Sequence, residues 1–335
     1  MRSSLITVLW WNLAVLLTPQ PTEAEVQQYL VNNGMTEAAA WISPNAVVSG
    51  DLYGPVGETT AKHLHWNVTQ YLTPEGILPS LPAVTDTQGS PTDGLWSVGT
   101  RYMKAERFQL FGDYFYGFRL DSSASIFACN EEDLGIQANH NTEQAPLGLI
   151  PVAQRKTLDQ MQTLAFSLAT LVRTATNGSK CKAGPSFNRG RTSLVLSFEQ
   201  LNGSRSLIYW ITLYDSKNTH FHGVYCDLCF SQAIWQIEDD IDILGQFRPL
   251  LGGAVQNYGH VDILPRLRFL IANNPYFRQG VSRNPADYRL EGVAVGVTTF
   301  GDALIDGGFA HLTIRDEGRL SVGGRRAGSL SDNIN

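Results

Sequence analysis

Through the second half of the chain, β-branched and aromatic residues alternate with polar ones, the two-residue period of strands that show opposite faces to core and solvent. The clearest stretch is Arg191 to Ile237, broken by Asn202-Gly203 and by Asp215-Ser216-Lys217-Asn218. That pattern predicts consecutive antiparallel strands joined by turns. Arg107 to Leu120 is a second alternating run, with Gly112 and Gly117 as turn points or bulges, and Ile126 to Cys129 reads as a short strand. Tyr288 to Phe300 and Phe309 to Arg315 supply two more strands, separated by Gly301-Asp302 and Asp306-Gly307-Gly308.

Helical spacing is found in fewer places. Thr157 to Arg173 scores as a helix or as two strands; Leu158, Met161, Leu164, Ala165, Leu168 and Leu171 make the better stripe at helical spacing, which favours a helix over its first half. Val261 to Ile271 predicts a short helix with Pro265 in its first turn and Asp262 near the N-cap. Glu25 to Trp41 predicts one or two short helices interrupted at Asn32-Asn33-Gly34. Between Ile42 and Val98, frequent Pro, Gly, Thr and Ser predict long loops, and Leu134 to Pro151 reads as a surface excursion. The expected architecture is all-β, an antiparallel β-sandwich with a few short helices and long loops. Its expected divisions are a signal peptide over 1–24, a loop-rich region over 25–100, the sandwich over 101–316 and a disordered tail over 317–335.

Composition narrows the partners. The 335 residues are 43% hydrophobic, enough for a packed core, and carry a formal charge of -6. The one basic cluster, Arg325-Arg326, is too small to neutralise a row of phosphates, so no nucleic-acid partner is expected. Arg2, the apolar run Leu5 to Leu17, the breakers Pro19 and Pro21, and Thr22-Glu23-Ala24 follow the order of a cleavable secretory signal. No later segment is apolar enough to span a bilayer, so a secreted, extracellular mature chain is expected. Cys129, Cys181, Cys226 and Cys229 fit an oxidising compartment and allow three disulfide pairings. Sequons at Asn67, Asn177 and Asn202 sit where a glycan is sterically tolerable, as in a glycoprotein.

In the closing strands, Leu290, Gly292, Gly296 and Gly301 fall in an L-x-G-x-x-x-G-x-x-x-x-G rhythm ahead of Phe309 to Ile314. This resembles the last strands of secreted β-jelly-roll carbohydrate-binding modules. The resemblance implies a jelly-roll-like sandwich, with a polysaccharide or glycoconjugate as partner and sugar rings packed on aromatic side chains.

Such a platform needs flat aromatic rings with hydrogen-bonding side chains at their edge. Trp210 and Tyr214, four apart in one strand, are expected on a common face, as are Tyr114 and Tyr116 in theirs; Trp235 lies beside Gln232 and Gln236. These five are the candidate ligand-binding residues. His220, His222 and Cys226 would share one side of a strand, which makes them candidate ligands for a transition metal in a cupin-like site. The acidic run Glu238, Asp239, Asp240 and Asp242 is by default an exposed loop; it offers oxygen ligands for Ca²⁺, or the carboxylates of a glycosidase. No cofactor is otherwise called for. No G-x-S-x-G elbow, phosphate-binding glycine loop or dinucleotide fingerprint is present. Three functions therefore stay open: a non-catalytic glycan- or surface-binding sandwich, a carbohydrate-active hydrolase or lyase on the same scaffold, and a cupin-like metal-dependent enzyme.

Overall fold

In the computed structural model, the described residues are 27–30, 66–71, 96–99, 101–124, 129, 131–138, 156–181, 187–203, 206–218, 223–225, 234–277 and 280–316. The N-terminal apolar segment, most of the region read as loop-rich and the C-terminal tail lie outside them, as do His220, His222, Cys226 and Cys229.

Fourteen strands are described: β1 (Gln27–Leu30), β2 (Trp66–Tyr71), β3 (Trp96–Gly99), β4 (Met103–Leu110), β5 (Asp113–Asp121), β6 (Glu131–Ala138), β7 (Ala165–Asn177), β8 (Arg189–Gln200), β9 (Ser206–Asp215), β10 (Gly223–Tyr225), β11 (Ile234–Asp240), β12 (Gln256–Asp262), β13 (Tyr288–Phe300) and β14 (Ala303–Asp316). They form two sheets. The first has the order β12-β7-β14-β5-β4-β3, with β1 against the far end of β14; the second runs β10-β11-β9-β8-β13-β6-β2. The chain crosses repeatedly from sheet to sheet, giving an all-β, jelly-roll-like sandwich.

The core lies between the sheets, where the inward-facing residues of each strand meet. Phe118 and Leu120 of β5, Phe166 and Leu168 of β7, and Phe309 and Leu312 of β14 face Leu194, Leu196 and Phe198 of β8, Tyr209 and Ile211 of β9, and Val293, Val295 and Val297 of β13. A disulfide between Cys129 and Cys181 ties the turn after β5 to the turn after β7. By loop-closure entropy over 52 residues it stabilises the fold by about 4 kcal/mol.

Several sequence expectations are corrected. Thr157 to Leu164, where a helix was expected, is turn and irregular chain, and Ala165–Asn177 is a strand: it sits between β12 and β14, and apolar residues on both of its faces are covered, Phe166 by the main core and Ala169 and Leu171 by an outer cluster with Phe115. A strand apolar on both sides loses its two-residue signature. Gln27–Leu30, expected in a helix, is β1, and β2 and β3 arise from the stretch read as loops. Glu131–Ala138 forms β6 between β13 and β2, where Leu134 onward was read as a surface excursion. The strands after β9 are not consecutive antiparallel neighbours: β11 lies parallel to β9, and β10 pairs with β11 instead. The helix near Val261 is confirmed in part as α1 (Leu264–Ala272), with Pro265 in its first turn. Asp262 ends β12, and its carboxylate accepts the Leu264 and Leu164 amides at 3.1 and 3.0 Å.

Candidate functional site

Five aromatic residues were expected to build a platform, and the two sheets separate them. Trp235 is fully buried in the core, edge-on to Tyr288 at 5.9 Å between centroids. Tyr116 is likewise in the core. Tyr114 lies in β5 opposite Gln109, and its side chain is outside the described part. Tyr214 packs against the main core. Trp210 alone of the five is on the outer face of the second sheet, clustered with Val195 and Ile208.

Trp210 and Tyr214 part company because of a β-bulge. The β8–β9 register shifts between Thr192 and Ser193, so that Thr192 faces Tyr214 while Ser193 faces Thr212, with Leu213 as the extra residue. One added residue reverses the parity of everything beyond it. Asp215 therefore joins Trp210 on the outer face, and Tyr214 turns inward.

Around Trp210 the outer face carries an ordered set of charges. Arg189, Arg191, Ser193, Val195 and Ser197 are its successive positions on β8. The Arg191 guanidinium lies 4.3 Å from the Phe300 centroid and 5.4 Å from that of Trp210, and Arg189 lies 4.5 Å from Phe300. Arg191 Nη1 donates to Glu238 Oε1, its Nη2 is 3.9 Å from Glu131, and Thr212 Oγ1 lies 3.4 Å from the same Glu238 oxygen. Arg189 Nη1 donates to Asp215 at 2.9 Å; burial, and then the Arg191 charge beside it, lower its pKa to about 10.

On the other side of β13, Thr298 donates to Asp133 Oδ1. Burial pushes the Asp133 carboxyl up to about 6, against the opposing pull of the Thr298 hydroxyl and of Arg191. Asp133, Gly135, Ser193, Trp210, Gly296 and Thr298 help to line a shallow, mainly apolar depression that encloses about 30 Å³ and is open on its outer side. Its floor is bare for a steric reason. A Cβ on Gly135 would lie 2.4 Å from the Val295 carbonyl oxygen, and one on Gly296 would lie 2.6 Å from that of Leu134. Only glycine permits β6 and β13 to approach this closely.

Several polar atoms on this face are buried without a hydrogen-bond partner, as are Thr170 Oγ1, Thr192 Oγ1, Trp235 Nε1 and Thr299 Oγ1 elsewhere among the described residues. Arg191 Nε, Ser193 Oγ, Ser197 Oγ and Trp210 Nε1 are all buried with no hydrogen-bond partner. A buried donor left unpaired costs about 1–3 kcal/mol, so such groups in a native fold call for an explanation. On the first sheet's outer face, by contrast, Arg173 is engaged by Glu106 at 2.5 Å and Asp306 at 2.6 Å while lying over the Phe108 ring.

The acidic run is not an exposed loop over Glu238 to Asp240. Glu238, Asp239 and Asp240 are buried, and arginines meet each carboxylate: Arg191 at Glu238, Arg266 at Asp239 (2.8 Å), and Arg248 at Asp240 (3.2 Å) and Asp242 (2.9 Å). Among the described residues, no group of three His, Cys, Asp or Glu side chains is placed to hold a metal ion. The candidate ligands His220, His222 and Cys226 lie outside those residues.

Asp133, Arg191 and Ser193 were not singled out from sequence. A usable signal was present in Arg189-Gly190-Arg191-Thr192-Ser193, where charged and hydroxyl residues recur at every second position and run directly into the apolar alternation of β8. Polar residues at that spacing, inside a strand with core on its other side, mark the outward face of a sheet.

No protein-family model matches the chain, and no curated protein matches it. Among solved structures, it is similar to the native family 12 xyloglucanase from Bacillus licheniformis, at 12% identity and TM-score 0.40 over 63% of this chain and 85% of that one. It is also similar to the Trichoderma harzianum endoglucanase 3 from family GH12, at 10% identity and TM-score 0.35 over 66% and 84%. A third is the family 11 xylanase from Neocallimastix patriciarum, at 11% identity and TM-score 0.29 over 66% and 94%. The reading of the site rests on this chain's own side chains. Among the described residues, no helix is long and apolar enough to cross a membrane.

Proposed function

We propose that the protein binds a saccharide on the outer face of the second sheet, over β6, β13, β8 and β9. The observation that carries this reading is the pair of unpartnered donors, Ser193 Oγ and Trp210 Nε1, in the wall of a depression whose opposite side holds Asp133. A sugar hydroxyl both accepts and donates, so one ring can satisfy the two donors and give a proton to the Asp133 carboxylate. The apolar C–H face of the ring has Val195, Ala294 and the indole to rest on. The N-terminal signal-like segment and the Cys129–Cys181 disulfide support action outside the cell, where polysaccharide and glycoconjugate ligands are found.

The test separates the indole's ring from its N–H. Trp210→Phe keeps an aromatic surface and removes the donor; Ser193→Ala removes the hydroxyl. Each is expected to weaken binding to immobilised xyloglucan or cellulose by about three- to tenfold, the worth of one hydrogen bond. Unchanged binding in both variants would contradict the proposal. The probe polysaccharides are suggested by the xyloglucanase and endoglucanase named above.

A second reading, hydrolysis at the same place, is favoured by one observation. Asp133 holds its proton up to about pH 6 while Glu238 is paired with the Arg191 cation, which sets a proton donor and a carboxylate on one face. Asp133→Asn would then abolish release of reducing ends and leave binding in place; equal turnover in wild type and variant removes Asp133 from any chemistry.

A further inference from the structure

Between β11 and β12 the chain carries large apolar side chains outward. Phe247 is 84% exposed and Leu250 71%, and Ile243 and Leu251 are exposed in the same loop. Single exposed apolar residues are ordinary; four in one loop call for a partner. The loop is built to hold them there. Gly245 and Gly252, both at left-handed φ (74° and 107°), turn the chain out and back. The Gly252 and Gly253 amides donate to the Val172 carbonyl at 3.0 and 2.9 Å, the Gly245 amide donates to the Asp242 carbonyl, and the Phe247 carbonyl accepts from the Tyr258 hydroxyl at 3.0 Å. Pro249 has no amide to satisfy. Arg248, between the two most exposed tips, is turned back to Asp240, Asp242 and Asn218. A protein partner makes about one hydrogen bond per 100–200 Å² of contact and uses polar groups at such a surface. Hydrocarbon instead requires that polar groups be satisfied from within, which is the arrangement found here.

The same end of the sandwich presents cations. Asn218, which accepts from Arg248, follows β9 beside Lys217, whose ammonium donates to the Phe187 carbonyl; Lys180, in the turn after β7, donates to the Ser123 carbonyl. The carboxylates among these turns are engaged: Asp240 and Asp242 by Arg248, Asp215 by Arg189, and Asp302 by the Ser179 and Lys180 amides. Apolar tips with lysines set back from them match a membrane interface, where acyl chains take the tips and phosphate headgroups the ammonium groups. We propose that this end of the sandwich attaches the protein to a phospholipid membrane surface, with Phe247 and Leu250 inserted and Lys180 and Lys217 at the headgroups. Two inserted side chains give reversible attachment, no tighter than a single acyl chain provides. None of these residues lines the depression on the second sheet, so the proposal is independent of saccharide binding.

Flotation of the full-length protein with vesicles tests this, using phosphatidylcholine alone and phosphatidylcholine with about one-fifth phosphatidylserine. The readout is the difference between wild type and variant, because both carry the apolar run Leu5 to Leu17. Phe247→Ser combined with Leu250→Ser is expected to weaken binding about tenfold or more on both vesicle types. Lys180→Gln combined with Lys217→Gln should weaken it about fivefold or more on the vesicles containing phosphatidylserine and little on the others. In a Phe247→Trp protein, brominated lipid should quench indole emission beyond the quenching seen in wild type. Melting temperatures close to wild type establish that the serine variant has lost binding and not its fold; should it unfold, the quenching decides. Equal binding by wild type and the serine variant, or no added quenching, overturns the proposal. So does a dimer in sedimentation that the serine variant converts to monomer, since a second copy then covers the loop.

Discussion

Arg191 shows how a charge survives burial on the outer face of a sheet. Its guanidinium is held by Glu238, flanked by the Trp210 and Phe300 rings, and only 2% of its side chain is exposed. Removing one partner of such a pair strands the other. Arg191→Met is expected to cost about 3–5 kcal/mol in urea unfolding, and Arg191→Met with Glu238→Gln to regain much of it. A single variant as stable as wild type would show that the pair is not buried as described. For Asp133 the sign is opposite to that of a salt-bridged carboxylate. Its folded pKa, about 6, lies above its unfolded value of 3.8. The folded state therefore binds the proton more tightly, and the benefit present in acid is lost as pH rises from about 4 to about 6. Asp133→Asn should stabilise the free protein at pH 8 by about 2 kcal/mol and leave it unchanged near pH 4. Saccharide affinity should show the reverse trend, rising through pH 6 as the carboxylate becomes a better acceptor. A pH-independent difference between wild type and variant contradicts the assignment.

At the scale of strands, the β9 bulge decides which aromatic side chains face outward. Trp235→Ala is expected to lose about 3–5 kcal/mol of stability, as for a large core residue, and Tyr214→Ala less, with neither altering binding by the folded fraction. Loss of binding without loss of stability in either would contradict the inward placement of both. Gly296→Ala should destabilise by about 1–3 kcal/mol, because β6 cannot retreat from the added carbon without breaking its ladder to β13. The alternation of Leu194, Leu196 and Phe198 made β8 legible from sequence, and the Asn202-Gly203 turn made its hairpin with β9 legible too. The bulge was not legible. Leu213 continues the apolar run, and only pairing with β8 shows that it is the extra residue, so Trp210 and Tyr214 were assigned to one face. The approach to β7 was read as helical for a related reason, since both faces of the strand are apolar and the two-residue period is lost.

For the whole molecule, the sandwich class could be read from the chain, whereas its site could not. The site is drawn from β6, β13, β8 and β9, which span residues from Glu131 to Phe300, and local periodicity does not report which distant strands become neighbours. Asp133 comes into reach of Arg191 only because β13 lies between their strands. The two outer faces then differ in kind. On the first, Arg173 is engaged by Glu106 and Asp306; on the second, Ser193 and Trp210 line a depression with Asp133. The most direct test of that difference is the indole N–H region of a ¹H–¹⁵N spectrum during titration with xyloglucan oligosaccharides, with resonances assigned by Trp210→Phe and Trp235→Phe. The Trp210 resonance should move as its N–H gains an acceptor, and the Trp235 resonance should stay in place. A saturating titration that leaves Trp210 unmoved, or shifts Trp235 instead, contradicts a saccharide site on this face.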